Sequence, residues 1–150
     1  MSPFEKVQKG IEQQIYRVID ANFNRSKEGL RVLEDICRFL YDQKYFTKKY
    51  RNLRQQLTVI MAKCPLRDLI IARNIEGDVG GVLNQRELRR NNVTDVFYAN
   101  SQRVKESVRV LEEFMKLINK RLSVQLKTIR YDVYSLEKKI LGKITDLKIK

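Results

Sequence analysis

Asn22, Arg25 and Glu28 recur at the same spacing as Asn100, Arg103 and Glu106. They lie in the phrases ANFNRSKEGLRVLE, from Ala21, and ANSQRVKESVRVLE, from Ala99, which agree at nine of fourteen positions. About one agreement is expected between unrelated stretches of ordinary composition. An asparagine presents both a donor and an acceptor, and so reads a heterocycle or ribose edge. An arginine clamps phosphate through its paired N–H groups. A glutamate orients that arginine or accepts from a ring amine. The same set also reads as a structural network that fixes helix register after duplication of an ancestral hairpin. The repeat alone leaves both readings open.

A second cluster stands between the copies. Arg73 precedes Gly77-Asp78-Val79-Gly80-Gly81, and Arg86, Arg89 and Arg90 follow. Glycines let backbone amides approach a phosphate, and an aspartate can hold Mg²⁺ through oxygen. No G-K-[ST] follows, so this is not a Walker loop, and it lacks the dinucleotide GxGxxG. A plain turn fits the composition equally well.

The chemistry is bounded by what is missing. The 150 residues contain no histidine, which excludes histidine acid–base work, Ser-His-Asp machinery and His-ligated zinc. There are 31 Lys+Arg against 18 Asp+Glu, a formal net charge of +13. Such a surplus suits polyanions: nucleic acid, anionic membrane or phosphorylated small molecules. The aromatic residues fall at core spacing with no stacking platform, which argues against nucleic acid. Cys37 and Cys64 lie on apolar stripes without CxxC partners, as core residues of a reducing compartment do. No stretch approaches the ~20 apolar residues of a membrane span, and no apolar signal core opens the chain. The expectation is a cytoplasmic protein with no membrane partner.

Helices must position these residues. Val18, Ala21, Gly29, Val32, Leu33, Ile36, Phe39 and Leu40 share one helical face. Phe46, Tyr50, Leu53, Leu57, Ile60 and Cys64 form a second stripe, after a turn near Asp42 to Lys44. Val96, Ala99, Ser107, Val110, Leu111, Phe114 and Leu117 form a third, capped by Thr94 or Asp95. Leu122, Leu126, Ile129, Val133, Leu136 and Ile140 form the fourth. The fold predicted is all-α: two repeated antiparallel helical hairpins closing into a pseudo-twofold four-helix bundle. A Gly-bearing connector and a short N-terminal helical extension over residues 3–14 complete it. Residues 1–150 read as one helical domain, with repeat one at about 16–64, the connector at about 65–93 and repeat two at about 94–142. In the connector, Leu66 to Asn74 read as a short helix and Gln85 to Arg90 as a further turn. Its aliphatics Ile70, Ile71, Ile75, Val79, Val82 and Leu83 suggest that it folds down.

On a helical wheel the first stripe centres near Asn22, with Arg25 about 60° away. Asn100 and Arg103 take the same places in the second copy. Glu28 and Glu106, one turn on, are expected to pair with those arginines at i, i+3. Arg31, Arg109, Glu34 and Glu112 are expected to face solvent.

Four phrases together, RVIDANFNRSKEGLRVLED, ARNIEGDVGG, DVFYANSQRVKESVRVLEEF and IRYDVYSLEK, give the chain a resemblance over about residues 15–140. It resembles the small helical hydroxymethylpyrimidine-phosphate kinases of bacterial thiamine synthesis, which occur alone or fused ahead of thiamine-phosphate synthase. The resemblance implies ATP-dependent phosphorylation of 4-amino-5-hydroxymethyl-2-methylpyrimidine phosphate to the diphosphate, with ATP and Mg²⁺ as cofactors. It also implies thiamine-phosphate synthase as a partner, and leaves a homodimer open. Two rival functions stand beside it: a non-catalytic module that docks on thiamine-phosphate synthase, and a basic nucleic-acid-binding protein. Under the kinase reading, Asn22, Asn100 and one of Glu28 and Glu106 read the aminopyrimidine. Arg25, Arg103 and Arg73, with Arg54 and Arg130 as further candidates, neutralise the phosphates. Asp78 ligands Mg²⁺, and the Gly80 and Gly81 amides hold phosphate. The second repeat has Ser101 for Phe23 and Ser107 for Gly29, so the two halves need not be equivalent.

Overall fold

A computed structural model describes residues 2–81 and 88–144, and every element within them is helical. The first half of the expected turn from Gln85 to Arg90 falls outside them, as do Val82 and Leu83. Helix α1 (Pro3–Asp35) takes in the N-terminal extension without a break. It ends in a π-helical turn, Ile36–Leu40, in which the Tyr41 amide donates to the Ile36 carbonyl at 3.0 Å. The wider turn breaks the 3.6-residue period. Phe39, expected in the core, is therefore 61% exposed, and Tyr41 is buried in its place. Asp42 then takes a left-handed φ of 54° and turns the chain into α2 (Lys44–Met61).

Helix α3 (Leu66–Ala72) lies on α1 and buries Leu69. It is shorter than two turns plus a cap, so it offers the bundle only one ridge. Ile70 and Ile71 on its other faces, and Ile75 and Val79 beyond its end, stay exposed, contrary to the expectation that the connector's aliphatics fold down. Helix α4 (Val93–Met115) is capped by Asn92 rather than by Thr94 or Asp95. Asn92 Oδ1 accepts from the Asp95 amide at 2.8 Å, and the Asp95 carboxylate accepts from the Asn91 amide at 3.1 Å. The helix stops at Met115, so Leu117 lies beyond it and is exposed. Asn119 then accepts from the amides of Arg121 and Leu122 and opens α5 (Lys120–Ile144). No helix among the described residues is long and apolar enough to cross a membrane.

Helices α1 and α2 form one hairpin and α4 and α5 the other. Helix α1 packs on α4 and α2 on α5, which closes the four-helix bundle. The stripes of α2 and α5 are buried as their spacing predicts, with Cys64 half-buried past the end of α2. On α1 and α4 the buried face also takes Ile19, Ser26, Leu30 and Cys37, and Phe97, Val104, Val108 and Met115. These residues turn the core direction roughly 45° away from Asn22 on the wheel. Glu34 and Glu112, expected to face solvent, come inside as a result, while Arg31 and Arg109 do stay out. An isolated buried carboxylate is costly, and an arginine from the second helix of the same hairpin meets each one. Arg54 donates from Nε and Nη2 to Glu34 Oε1 at 3.2 and 3.1 Å. Arg130 forks onto Glu112, with Nη2 donating to Oε1 at 3.2 Å and Nε donating to Oε2.

Helices α1 and α4 meet closely. A Cβ on Gly29 would fall 2.7 Å from Val104 Cγ2 and 3.3 Å from the Asn100 carbonyl oxygen. The absent side chain is what permits this approach. One turn away, the Ser26 and Ser107 hydroxyls hydrogen-bond at 2.7 Å. Gly29 and Ser107 are equivalent in the repeat, as are Ser26 and Val104. The contact is therefore made once by Gly and Val and once by Ser and Ser.

Candidate functional site

Two adjoining clefts share the outer face of α1: one lies between α1 and the connector, the other in the groove between α1 and α4. The larger, about 760 Å³, is lined by Ala21, Asn22, Asn24, Arg25 and Glu28 of α1 and walled by the connector. The smaller, about 450 Å³, is lined by Ala99, Gln102, Arg103 and Glu106 of α4, and again by Asn22 and Arg25. Both volumes fall within the ~300–1,000 Å³ usual for small-molecule sites. Ala21, Asn24, Arg25 and Glu28 are the repeat equivalents of Ala99, Gln102, Arg103 and Glu106. Each repeat thus lines a cleft with the same face of its first helix.

The expected site residues separate as follows. Asn22 and Arg25 line both clefts; Glu28, Arg73 and Asp78 line the larger; Arg103 and Glu106 line the smaller. Asn22 is buried, with Nδ2 donating to the Val18 carbonyl at 2.8 Å. Its Oδ1 accepts from Arg25 Nη1 at 3.4 Å. Asn100 makes the equivalent bond to the Val96 carbonyl at 2.8 Å but lines neither cleft, because it lies at the α1–α4 contact. Gly80 and Gly81 also line neither. Their amides donate to Asp78 itself, to Oδ1 at 2.9 Å and to its carbonyl at 3.2 Å. Arg25 and Arg103 are exposed, and no described ion pair joins them to Glu28 or Glu106. Glu106 instead accepts from Gln102 at 3.0 Å. Arg54 and Arg130 are engaged inside the hairpins, away from the groove. Arg89 and Arg90 line no described cleft, and Arg90 donates to the Arg89 carbonyl.

Asp20 and Arg17 complete the larger cleft. Asp20 is buried and takes Arg73 bidentately, with Nε donating to Oδ2 and Nη2 to Oδ1, both at 2.7 Å. That bond and the Asp20 charge push the Arg73 pKa above the usual arginine value. Arg17 donates to the Asn74 carbonyl at 3.3 Å. These bonds bind the connector to α1 across 53 and 57 residues of sequence, a distance no periodicity reports. One local clue was present. The repeats differ at Asp20, whose equivalent is Tyr98.

Among the described residues, no three His, Cys, Asp or Glu side chains cluster to hold a metal ion. Both Asp20 oxygens are taken by Arg73, which leaves Asp78 as the cleft's available aspartate. Mg²⁺ is commonly held by one or two carboxylates together with substrate phosphates rather than by a protein cage. The donor set fits a Mg²⁺ that arrives on a polyphosphate.

The chain is similar to a thiamine-phosphate synthase of Nostoc punctiforme, 38% identical over 133 residues, covering 88% of this chain and 37% of that protein. One of Prochlorococcus marinus (strain AS9601) is 40% identical over 129 residues, covering 85% and 36%. One of Rhodopirellula baltica is 35% identical over 133 residues, covering 85% and 36%. The chain thus spans little more than a third of the curated relatives it matches. No solved structure matches it. The ThiD2 family pattern covers residues 17–139, from Arg17 at the cleft wall to the last third of α5, and the chain belongs to the ThiD2 family.

Proposed function

We propose that the protein uses ATP and Mg²⁺ to phosphorylate 4-amino-5-hydroxymethyl-2-methylpyrimidine phosphate to the diphosphate in thiamine biosynthesis. One observation carries the reading: two equivalent faces, each with an arginine and a glutamate, line adjoining clefts that share Arg25. A transfer between two phosphorylated ligands needs that arrangement, because both must be neutralised and held in line. The relatives' name, thiamine-phosphate synthase, supports the pathway.

The acceptor is a phosphate monoester with a second pKa of ~6, so it is largely dianionic at neutral pH. It requires no general base, in keeping with a chain that has no histidine. A non-bridging oxygen of the acceptor attacks the γ-phosphorus of ATP. The bond from that phosphorus to the β–γ bridging oxygen breaks, and its electron pair leaves with ADP. Arg25, Arg73 and Arg103 offset the charge of the two anions. Asp78 would supply a carboxylate oxygen to a Mg²⁺ carried by the nucleotide, which would offset phosphate charge. Asn22 holds Arg25 in place through its Oδ1.

Phosphorus NMR of the purified protein with Mg-ATP tests this. The pyrimidine phosphate should give a diphosphate and ADP, and the free alcohol should give neither. Phosphorylation of both would keep the kinase but remove the requirement for the substrate's own phosphate. No reaction with either would overturn the reading.

A second reading, docking on thiamine-phosphate synthase, is favoured by the exposed Ile70, Ile71, Ile75 and Val79 of the connector. Co-elution with purified thiamine-phosphate synthase, lost on Ile71→Asp, would support it. Separate elution would remove it.

A further inference from the structure

The two clefts have the same inherited lining but different additions, and this asymmetry assigns the two substrates. Resting on the kinase reading, we infer that the connector-walled cleft takes the magnesium–nucleotide, that the open α4 cleft takes the pyrimidine phosphate, and that Arg25 stands between the reacting phosphates.

The chemistry of the additions separates the ligands. A magnesium–triphosphate presents both a cation and several anionic oxygens, so its site needs carboxylate and guanidinium groups side by side. The larger cleft has both: Arg17, Arg73 and Asp78 join the inherited Arg25 and Glu28. Asp20 contributes by holding Arg73, and through it the connector wall, against α1. The second repeat has Tyr98 where the first has Asp20, so it lacks the carboxylate that anchors such a wall.

The smaller cleft suits a compact ligand with one phosphate. Its charged groups are Arg25, Arg103 and Glu106, two cations against one anion. Gln102 and Glu106, joined at 3.0 Å, present an amide and a carboxylate toward the same space. A carboxylate accepts from an exocyclic amine, and an amide pairs with a ring nitrogen and its neighbouring donor. An aminopyrimidine offers that edge. Asn22 and Arg25 line both clefts, so Arg25 lies where they adjoin, the place at which phosphate passes from one ligand to the other.

The test is equilibrium binding by calorimetry, with MgADP and the pyrimidine phosphate titrated separately, beside turnover by phosphorus NMR. Asp78→Asn and Arg73→Lys alter only the larger cleft; Arg103→Lys and Gln102→Leu alter only the smaller. The first pair should weaken MgADP about tenfold or more, a change of ~1.4 kcal/mol, and leave the pyrimidine phosphate within about twofold. The second pair should do the reverse. Arg25→Lys should lower kcat more than it raises either Kd, because a shared arginine acts mainly on the transferring group. Turnover by the wild type with the binding pattern inverted, or with both ligands weakened by both pairs, would overturn the assignment and keep the kinase. Failure of the wild type to bind MgADP or to turn over would overturn the kinase reading, and the assignment with it.

Discussion

The two repeats share their skeleton and differ at a few positions along it. In each hairpin a buried glutamate of the first helix meets an arginine of the second. In each, the asparagine of the repeated phrase returns its side chain to a carbonyl one turn back. The first repeat alone has Asp20, and with it the connector. The first has Gly29 at the crossing where the second has Ser107. The buried glutamates keep the same partner in both halves, while the difference between buried Asp20 and exposed Tyr98 accompanies the difference between a walled cleft and an open one.

The hairpin pairs give the largest expected difference. Arg130→Ala leaves Glu112 buried beside no other described cation, and should cost ~3–5 kcal/mol. Arg54→Ala should cost less, about 1–3 kcal/mol, because Arg51 and Arg31 remain 3.5 and 3.6 Å from Glu34 Oε2. Urea unfolding of the two variants measures this; equal losses would mean that the halves are energetically interchangeable.

The crossing comes next. Gly29→Ala forces a methyl against Val104, whose β-branched side chain cannot swing aside, and should destabilise by about 1–3 kcal/mol. Adding Val104→Ala should recover part of that loss. Ser107→Ala removes one hydroxyl bond to Ser26 and should cost about 1 kcal/mol. If Gly29→Ala proves neutral, the close approach is not what keeps the glycine.

A smaller global effect is expected from Asp20→Asn, since Arg73 is 40% exposed and half-solvated pairs contribute only ~0–1 kcal/mol. Its signature should be local. Amides 73–78 should exchange faster with solvent while those of α4 remain unchanged. Unaltered exchange in the connector would show that Asp20 does not hold it.

An effect absent at neutral pH concerns Cys37, whose thiol burial pushes from 9.0 up to about 12. The folded state favours the neutral thiol. That contribution is complete below pH 9, and is lost as the pH rises from there towards 12. Cys37→Ala should therefore lose less stability than the wild type between pH 8 and pH 11 in paired urea titrations. Parallel losses would assign the alkaline instability to other groups.

How much of this was legible in the chain follows from the range of each interaction. The four stripes and their pairing into hairpins are periodic, and α2 and α5 bury the residues that spacing picks out. On α1 and α4 the stripe that spacing picks out omits Ile19, Leu30, Val104 and Val108, and these buried residues turn the direction of the core. Without them the wheel puts Glu34 and Glu112 in solvent, and Arg25 and Arg103 nearer the interior than they lie. The groove residues of the repeat were legible as a set, since duplication marked them. Asp20 and Arg17 were not, because their meaning depends on a connector that returns from more than fifty residues away. The Gly80–Gly81 amides show the converse: a composition suited to phosphate, turned inward on Asp78.

The π-helical turn has a consequence for chain length. Glu34 and Arg54 are 20 residues apart, whereas Glu112 and Arg130 are 18 apart, yet both pairs meet. The first hairpin therefore carries two more residues in its bend, and the widened turn at Ile36–Leu40 with the left-handed Asp42 is where they are stored. This two-residue difference is absorbed before it reaches the ion pair. The two hairpins thus differ in length at their tips, while each keeps its buried glutamate and arginine together.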